Sequence, residues 1–589
     1  MIVHEKLLKG RRSLDVFPQL SILKDWEWIE DLNMWCLRFS LYLELRNLQN
    51  TTFWVAFASN NYPHGDVSIY PDFKLGINET FPHQLNNDLD WFNPICKSGK
   101  ICLDRPSDKF ISKTLNEFEK LTWHVKRLIQ WIHNADNNSL MKEGDYFEVP
   151  VTNISSKNIL AYDEDYFSVE VRNDNEARYG FVDIAQHMET YFVKKFNDCC
   201  GDLVFEIAWG KRIHEIINAC ENQIGGWILL EKPIVINRWQ SPNTYGQLKE
   251  AFKTQGSSFR EFFSHLSGRL RDQKQHLLLI GYPASLILGE EPDSIIWQTI
   301  RLPILSSGNR VPPGFRKNEI GWLQQDLTCR LSGNTKIEWL RSENWNSTNI
   351  LTRGKVSQSL CRMRVLIIGA GSLGSIIAEM LIRSGVISLT IIDNDIFKIG
   401  NMSRHILDIE SVGFNKADEV AKKLNKLSPH ARVNAVNGKF NTSFIEKTLN
   451  YDAIFDCSGE NDVLEILSEM CTSQWLCSAS FSFEVKNIFV YVGRLKNFSL
   501  NEYSKQFSNV MKSDFLEFDF NKMPWEGIGC WSPVFPATYG DVSLAASTIV
   551  STFDQRVKDN VTSGEYVLFQ KQFDSKGNFH GVIQVDDKL

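Results

Sequence analysis

The sequence predicts a multidomain α/β protein. Residues 1–150 read as an α+β region, 151–345 as a mixed α/β connector, and 346–589 as an α/β region built on a parallel sheet. Three observations carry this prediction. Apolar residues alternate with period two near 35–45. A helical apolar period follows Ser107. Beyond residue 350, short apolar runs alternate with amphipathic helical stretches, the first of them through a glycine-rich turn. The 589 residues allow several domains, at roughly 150 residues each.

In the first region Trp35, Leu37, Phe39, Leu41, Leu43 and Leu45 alternate with more polar neighbours, which predicts a half-buried strand. Phe53, Val55 and Phe57 predict a second strand, and residues 67–70 a third. Pro106 and Ser107 open a long helix whose apolar positions include Phe110, Leu115, Leu121, Val125, Leu128 and Ile132, with Ser107 as its N-cap. In the connector, 233–237, 276–281 and 295–305 read as strands, and 247–253 and 261–270 as helices. A turn at Pro312-Pro313-Gly314 punctuates it. In the third region 364–368, 389–393, 432–436 and 452–456 read as strands, with helices at 373–384 and 416–427. Such alternation implies parallel strands joined by crossover helices.

Composition narrows the function. Apolar residues make up 43% and charged residues 23%, as in ordinary globular chains. The net charge is −7 with both signs interleaved, which disfavours nucleic acid as a main partner. The greasiest stretch, 365–382, is broken by glycines and Glu379 and does not read as a membrane span. The start of the chain lacks the apolar core of a signal peptide. The 12 cysteines are scattered, which favours a reducing, cytoplasmic compartment.

Gly369-Ala-Gly371-Ser-Leu-Gly374 follows an apolar strand and opens a helix, the pattern of a phosphate-binding turn. Asp393 ends the next strand and is placed to grip ribose hydroxyls. This much suits NAD, FAD, S-adenosylmethionine or ATP. Asn401, Arg404, Lys416 and Asp456 narrow the choice. Two cations and a second carboxylate around one nucleotide suit a triphosphate with Mg²⁺. The competing reading makes Arg404 and Lys416 solvated charges and Asp456 a helix cap.

The span from about 350 to 589 resembles the ThiF/MoeB/HesA superfamily, which includes ubiquitin-activating enzymes. The resemblance rests on Gly369, Gly371 and Gly374, on Asp393 and Asp395, on Asn401 and Arg404, on Gly413 and Lys416, and on Asp456 followed by Cys457. It implies a Rossmann-like adenylation domain that uses ATP and pairs as a homodimer. It also implies ribose binding by Asp393, phosphate binding by Asn401, Arg404 and Lys416, and Mg²⁺ at Asp456. Many relatives hold a structural zinc on two CxxC pairs. No CxxC occurs here, Cys471 and Cys477 being six apart, so no zinc is expected. Arg341 is the candidate for the arginine that such enzymes extend across the dimer.

Two cysteines could carry an acyl group. Cys530 lies in the loop Gly527-Ile-Gly529-Cys530-Trp-Ser-Pro533, where a thiol could attack an acyl-adenylate. Its position resembles that of the nucleophile in activating enzymes. Cys102 sits in Ile101-Cys102-Leu103-Asp104, and the strands, loop, cysteine and helix around it resemble ubiquitin-conjugating enzymes. Asn93-Pro94 is part of that family's His-Pro-Asn, and His83 is a more distant candidate for the oxyanion-stabilising group. For both cysteines the bland alternative is an ordinary loop or core thiol, and Cys199–Cys200 read as packing residues near a helix.

A conjugating-type domain, a connector and an activating-type domain in one chain resemble the fused transferases of bacterial anti-phage (CBASS) systems. That resemblance implies activation of a partner's C-terminal carboxylate, relay through Cys530 and Cys102, and ligation to a target lysine. The implied partner is a cGAS-like nucleotidyltransferase. The rival readings are a sulfur-carrier adenylyltransferase of cofactor biosynthesis, an NAD-dependent oxidoreductase, and a non-catalytic nucleotide-binding scaffold.

Overall fold

The computed structural model describes residues 2–89, 94–103, 108–164, 178–308, 314–519, 521, 523–526, 532–561 and 563–585. The chain forms two compact units, Met1–Ile207 with Cys220–Asn344, and Ala208–Ala219 with Trp345–Leu589.

The first sheet of the first unit is a four-stranded antiparallel meander, Leu20–Ile29, Met34–Tyr42, Thr51–Ala58 and Val67–Pro71, paired in chain order. Alternation sends Trp35, Leu37, Phe39 and Leu41 to one face, where they pack with Leu121, Val125, Leu128 and Ile132 of the helix Glu119–Asp136. Each such side chain contributes about 1.5–3 kcal/mol by leaving water. The other face, which the alternation in Met34–Tyr42 assigned to solvent, is covered as well. Cys36, Val55, Phe57 and Cys96 form a second apolar cluster there. Burial pushes the Cys36 thiol up to about 12, so it is an inert core group.

Two elements escaped the sequence reading. The helix Glu5–Arg12 is mostly exposed, and the strand Leu20–Ile29 was not singled out although its Leu20, Ile22, Trp26 and Trp28 pack with the core. The single long helix expected from residue 107 is two, Asp108–Thr114 and Glu119–Asp136. The cause is Asn116, whose Oδ1 accepts the N–H groups of Phe118 (2.9 Å) and Glu119 (3.1 Å) and so starts a new helix. The proposed cap, Ser107, lies outside the described residues. At the far end the Asp136 carboxylate accepts N–H groups of Arg46, Asn47 and Leu48, which fastens the helix to the turn after the second strand.

The rest of this unit is an eight-stranded mixed sheet between Ile154 and Asn344. Strands Leu277–Ala284 and Ser294–Arg301 were anticipated; the other six were not. Residues 233–237 form no strand. Ile236 bridges Gln240 across a turn in which Asn237 and Arg238 take positive φ. Helices Tyr245–Thr254 and Phe259–Ser267 lie where the 3.6 period placed them, the first opened by a capping box between Thr244 and Gln247. Their Leu248, Phe252, Phe263 and Leu266 pack with Ile228, Leu278 and Ile280 of the sheet. Cys199 and Cys200 are exposed in the turn between Thr190–Asp198 and Leu203–Glu206, not packed against a helix.

The second unit is centred on another eight-stranded sheet. Five parallel strands come in the order Arg432–Asn437, Ser388–Asp393, Arg364–Ile368, Ala453–Asp456, Trp475–Phe481. Three antiparallel strands, Asn487–Arg494, Glu565–Phe573 and Phe579–Gln584, extend it. Residues such as Val365, Leu366, Ile367 and Ile368 are all buried because both faces are covered, by separate apolar clusters. Helix Ser372–Arg383 packs against the long helix Tyr539–Lys558 through Ile377, Ala378, Ala545 and Ile549 on one face. The strand Arg364–Ile368 has its chain successor on one side and Ala453–Asp456 on the other. That reversal opens a crevice at the carboxyl ends of the strands, where ligands of open α/β sheets bind.

Candidate functional site

Strand register by itself brings three of the predicted nucleotide elements to the crevice. Ile368 pairs with Ile392 on one side and Asp456 on the other, so the glycine loop, Asp393 and Asp456 emerge together. Gly369 takes φ +91, which glycine adopts without strain. A Cβ on Gly374 would lie 2.0 Å from the Gly369 carbonyl oxygen, so the helix must approach the loop through a glycine. Gly371 is the N-cap of helix Ser372–Arg383, and a Cβ there would meet nothing within 4 Å. That side of the loop is open, beside a helix N-terminus suited to phosphate.

Asp393 is half-buried and fixed by backbone donors. Its Oδ2 accepts the Ala370 N–H (2.6 Å) and its Oδ1 the Asp395 N–H (2.7 Å). Burial pushes its pKa up, opposed by those two bonds and by the charge of Lys416. Lys416 opens the helix Lys416–Leu424 and donates to the Asp395 carboxylate at 2.8 Å. The chain between them folds back so that Ile396 bridges Asn415 and Gly413 donates to the Phe397 carbonyl. Asn415 was missed from the sequence. Its side chain donates to the Asp393 and Asp395 carbonyls (3.1 and 3.2 Å) and caps the Lys416 helix. An Asn directly before a helical Lys is the signal that could have found it.

Asn401 and Arg404 lie on the short helix Ile399–Arg404. The Asn401 Oδ1 accepts the Lys398 N–H at 3.0 Å. The Arg404 guanidinium donates to the Phe535 carbonyl, on the segment that leads into helix Tyr539–Lys558. The ring of Phe535 packs against Phe481 and Phe483.

Asp456 is 3% exposed. Its Oδ1 accepts from the Ser458 N–H (3.1 Å) and hydroxyl (2.7 Å), and its Oδ2 from the Ser478 hydroxyl (2.8 Å). These serines were not singled out in the sequence. Burial raises the Asp456 pKa, so a nearby cation would favour its ionised form. Mg²⁺ commonly takes one or two protein carboxylates and fills its octahedron with phosphate oxygens and water. Asp456 fits as such a carboxylate. Among the described residues no three His, Cys, Asp or Glu side chains gather to hold a metal by themselves. Beside it Cys457 is partly buried, and desolvation pushes its thiol far above the ordinary range.

In the first unit Cys102 is exposed. Its N–H donates to the His83 carbonyl at 2.8 Å, and Ile101 beside it donates to Ile69 at 2.9 Å. His83 has φ +58 and its ring is spanned, with Nδ1 2.9 Å from Glu148 Oε2 and Nε2 3.2 Å from the Leu140 carbonyl. The hydrogen bond to Glu148 raises its pKa. Both ring nitrogens are thus occupied, and His83 braces the Cys102 segment instead of offering a donor to a substrate oxygen. Asn93 and Asp104 lie outside the described residues. So does Cys530. Arg341 pairs with Glu343 at 2.6 Å. Among the described residues no helix is long and apolar enough to cross a membrane.

Comparison with known proteins adds to this geometry. Residues 138–345 match the Cap2 central linker domain and residues 346–490 match the ThiF family. The chain is 31% identical over 500 residues to the ATP-dependent ubiquitin transferase-like protein Cap2 of Enterobacter hormaechei subsp. hoffmannii, covering 82% of each chain. It is 39% identical over 101 residues to the adenylyltransferase and sulfurtransferase UBA4 of Debaryomyces hansenii, covering 17% of this chain and 22% of that one. Among solved structures, E. coli MccB with AMPCPP and MccA covers 38% of this chain and 64% of its own, at 14% identity and a TM-score of 0.28. With a relative of this similarity over four-fifths of both chains and a ThiF domain built on the Gly369 loop, the chain belongs to the Cap2 family of ATP-dependent ubiquitin transferase-like proteins.

Proposed function

We propose that this protein activates the C-terminal carboxylate of a partner protein with ATP and passes it through cysteine thioesters to a target amine. The observation that carries this reading is the convergence of the glycine loop, Asp393, Lys416 and Asp456 at one crevice of a ThiF-type sheet.

In the first step the partner's carboxylate oxygen attacks the α-phosphorus of ATP, the bond to the bridging oxygen breaks, and pyrophosphate leaves. Asp393 holds the ribose hydroxyls. Asn401, Arg404 and Lys416 hold the phosphates, and Lys416 leaves Asp395 to do so. Arg404 and Lys416 stabilise the charge that builds on the leaving oxygens. Asp456 holds Mg²⁺, which when bound polarises the phosphates and neutralises their charge. The thiolate of Cys530 then attacks the acyl carbon and AMP leaves. The Cys102 thiolate takes the acyl group by thioester exchange, returning the Cys530 thiol. A lysine amine attacks the second thioester, loses a proton and leaves an amide and the Cys102 thiol. Two thiols on one chain see each other at high effective concentration.

In this reading residues 1–150 act as a ubiquitin-conjugating-like domain, 151–345 as the connector and 346–589 as the adenylation domain. The four-stranded meander, the exposed Cys102 and the helix Glu119–Asp136 behind the sheet support the first assignment. The partner is a cGAS-like nucleotidyltransferase in bacterial antiviral defence, as expected of a cytoplasmic CBASS enzyme. The enzyme works as a homodimer through its adenylation domain. Exposed Ile396, Ile399, Ile409 and Phe414 around the nucleotide residues supply an apolar surface for that contact.

The test is intact-mass analysis of the protein incubated with ATP, Mg²⁺ and the tagged C-terminal tail of the neighbouring nucleotidyltransferase. The expected product is a thiol-sensitive adduct mapped to Cys102 and lost in Cys102→Ala. An adduct that resists thiols, or one that survives in Cys102→Ala and Cys530→Ala together, removes the relay.

A further inference from the structure

His405 follows Arg404 in the chain and is 5% exposed, with its ring against Phe397 at 5.0 Å. Its Nδ1 accepts the Leu407 N–H at 3.2 Å, so that nitrogen carries no proton. The remaining ring proton sits on Nε2, which lies 2.7 Å from the Ala370 carbonyl oxygen and donates to it. One neutral tautomer satisfies both bonds. Burial keeps the ring neutral, and the positive potential of Lys416 and Lys423 adds to it.

Ala370 is the residue between the first two glycines of the phosphate loop. Its N–H is already held by Asp393. His405 holds its C=O, so the residue is fixed at both ends. The Ala370–Gly371 peptide is trans and planar, with C=O and N–H pointing opposite ways. Anchoring the carbonyl on His405 therefore turns the Gly371 N–H toward the other side. Phosphate would approach from the open side at Gly371, where an added Cβ meets nothing within 4 Å.

We propose that His405 is a positioning residue for ATP binding, which sets the Ala370–Gly371 peptide so that the Gly371 N–H faces the nucleotide phosphates. This rests on the nucleotide reading above and assigns to His405 a role in preparing the loop, without contact to ATP. Without the imidazole donor the buried Ala370 carbonyl loses its partner and the peptide is free to rotate.

The experiment compares full-length wild type, His405→Gln and His405→Phe. Phe keeps the packing against Phe397 and removes the donor. Gln restores a donor through its amide. Affinity for α,β-methylene-ATP with Mg²⁺ is measured by calorimetry, and amide exchange of the nucleotide-free proteins is followed over 364–374. Phe is expected to bind about tenfold more weakly, with Gln within about threefold of wild type. In the Phe variant exchange is expected to quicken at 371–374 and to stay unchanged in the strand 364–368, which general loss of stability would not produce. Wild-type affinity in the Phe variant, or a Gln variant as weak as Phe, overturns the proposal and leaves the nucleotide reading intact. A wild type that does not bind the analogue overturns the nucleotide reading, and the proposal with it.

Discussion

The glycine loop and the Cys102 segment are both held in place by backbone hydrogen bonds, but their partners come from different kinds of structure. The loop takes most of its bonds from the adjacent parallel strand, at Ile392 and Asp393, with Asp456 level with it on the other side, so forming the sheet forms most of the site and His405 adds one further bond to Ala370. The Cys102 segment leans on Ile69 and His83, and His83 is held in turn by Leu140 and Glu148 from far along the chain. A site made by register is specified wherever the sheet is. One made by separate braces depends on each of them, and adjusting a brace alters it without disturbing the fold.

Four substitutions probe that contrast, from the largest effect to the smallest. Cys102→Ala should abolish conjugation and leave ATP–pyrophosphate exchange as in wild type, as measured by the two assays side by side. Loss of both would join the two sites in one step. Arg404→Ala should lower exchange by about 10²–10³-fold at fixed ATP, the usual loss when a donor to developing charge is removed. It also removes the bond to the Phe535 carbonyl, so faster amide exchange at 534–537 is expected with it.

The third concerns pH in the nucleotide unit. Burial lowers the pKa of His405 to about 4. The unfolded chain takes up this proton near pH 6.5, so stability falls as pH drops below that value and levels out near 4. The cost approaches about 3 kcal/mol over that window. Urea unfolding of wild type and His405→Gln from pH 7 to pH 4 should give a flatter profile for the variant. Parallel profiles would place the pH dependence elsewhere.

The smallest effect lies in the first unit. The pKa of His83 is raised by its bond to Glu148, so its stabilisation is present below the ordinary histidine value and fades as pH rises past it. The ring is partly exposed, and Glu148→Gln should cost about 0.5 kcal/mol below pH 6 and less above pH 8. Slower conjugation in the same variant, with unchanged exchange, would mark the brace as acting on Cys102.

The same contrast explains what the sequence revealed. The positions of the glycines, Asp393, Lys416 and Asp456 at strand ends and helix starts were legible because each follows a strand or opens a helix with a strong period, whereas Asn401 and Arg404, on the short helix Ile399–Arg404, were singled out by the family pattern. What they touch was not legible. Arg404 reaches Phe535 and Asp456 rests on Ser478, contacts between segments far apart in sequence. His405 sat in plain view beside Arg404, but only the folded loop shows it holding Ala370. In the first unit the periods located three of the four strands but not how their faces match: Val55 and Phe57, read as apolar positions, share a face with Cys36, which the alternation in Met34–Tyr42 assigned to solvent, and the segment around Cys96 covers it. The long helix broke at Asn116 through a side-chain bond that a count of apolar positions does not register. The connector was the least legible, its strands lying within one mixed sheet whose parallel and antiparallel pairings leave no uniform period.

The measurement that bears most directly on the account is ATP–pyrophosphate exchange by the full-length protein, with and without a peptide matching the partner's C-terminal tail. The expected result is exchange that requires both peptide and Mg²⁺ and falls at least about 100-fold in Asp456→Asn. Peptide-independent behaviour, absence of exchange in wild type, or full exchange in Asp456→Asn would contradict it.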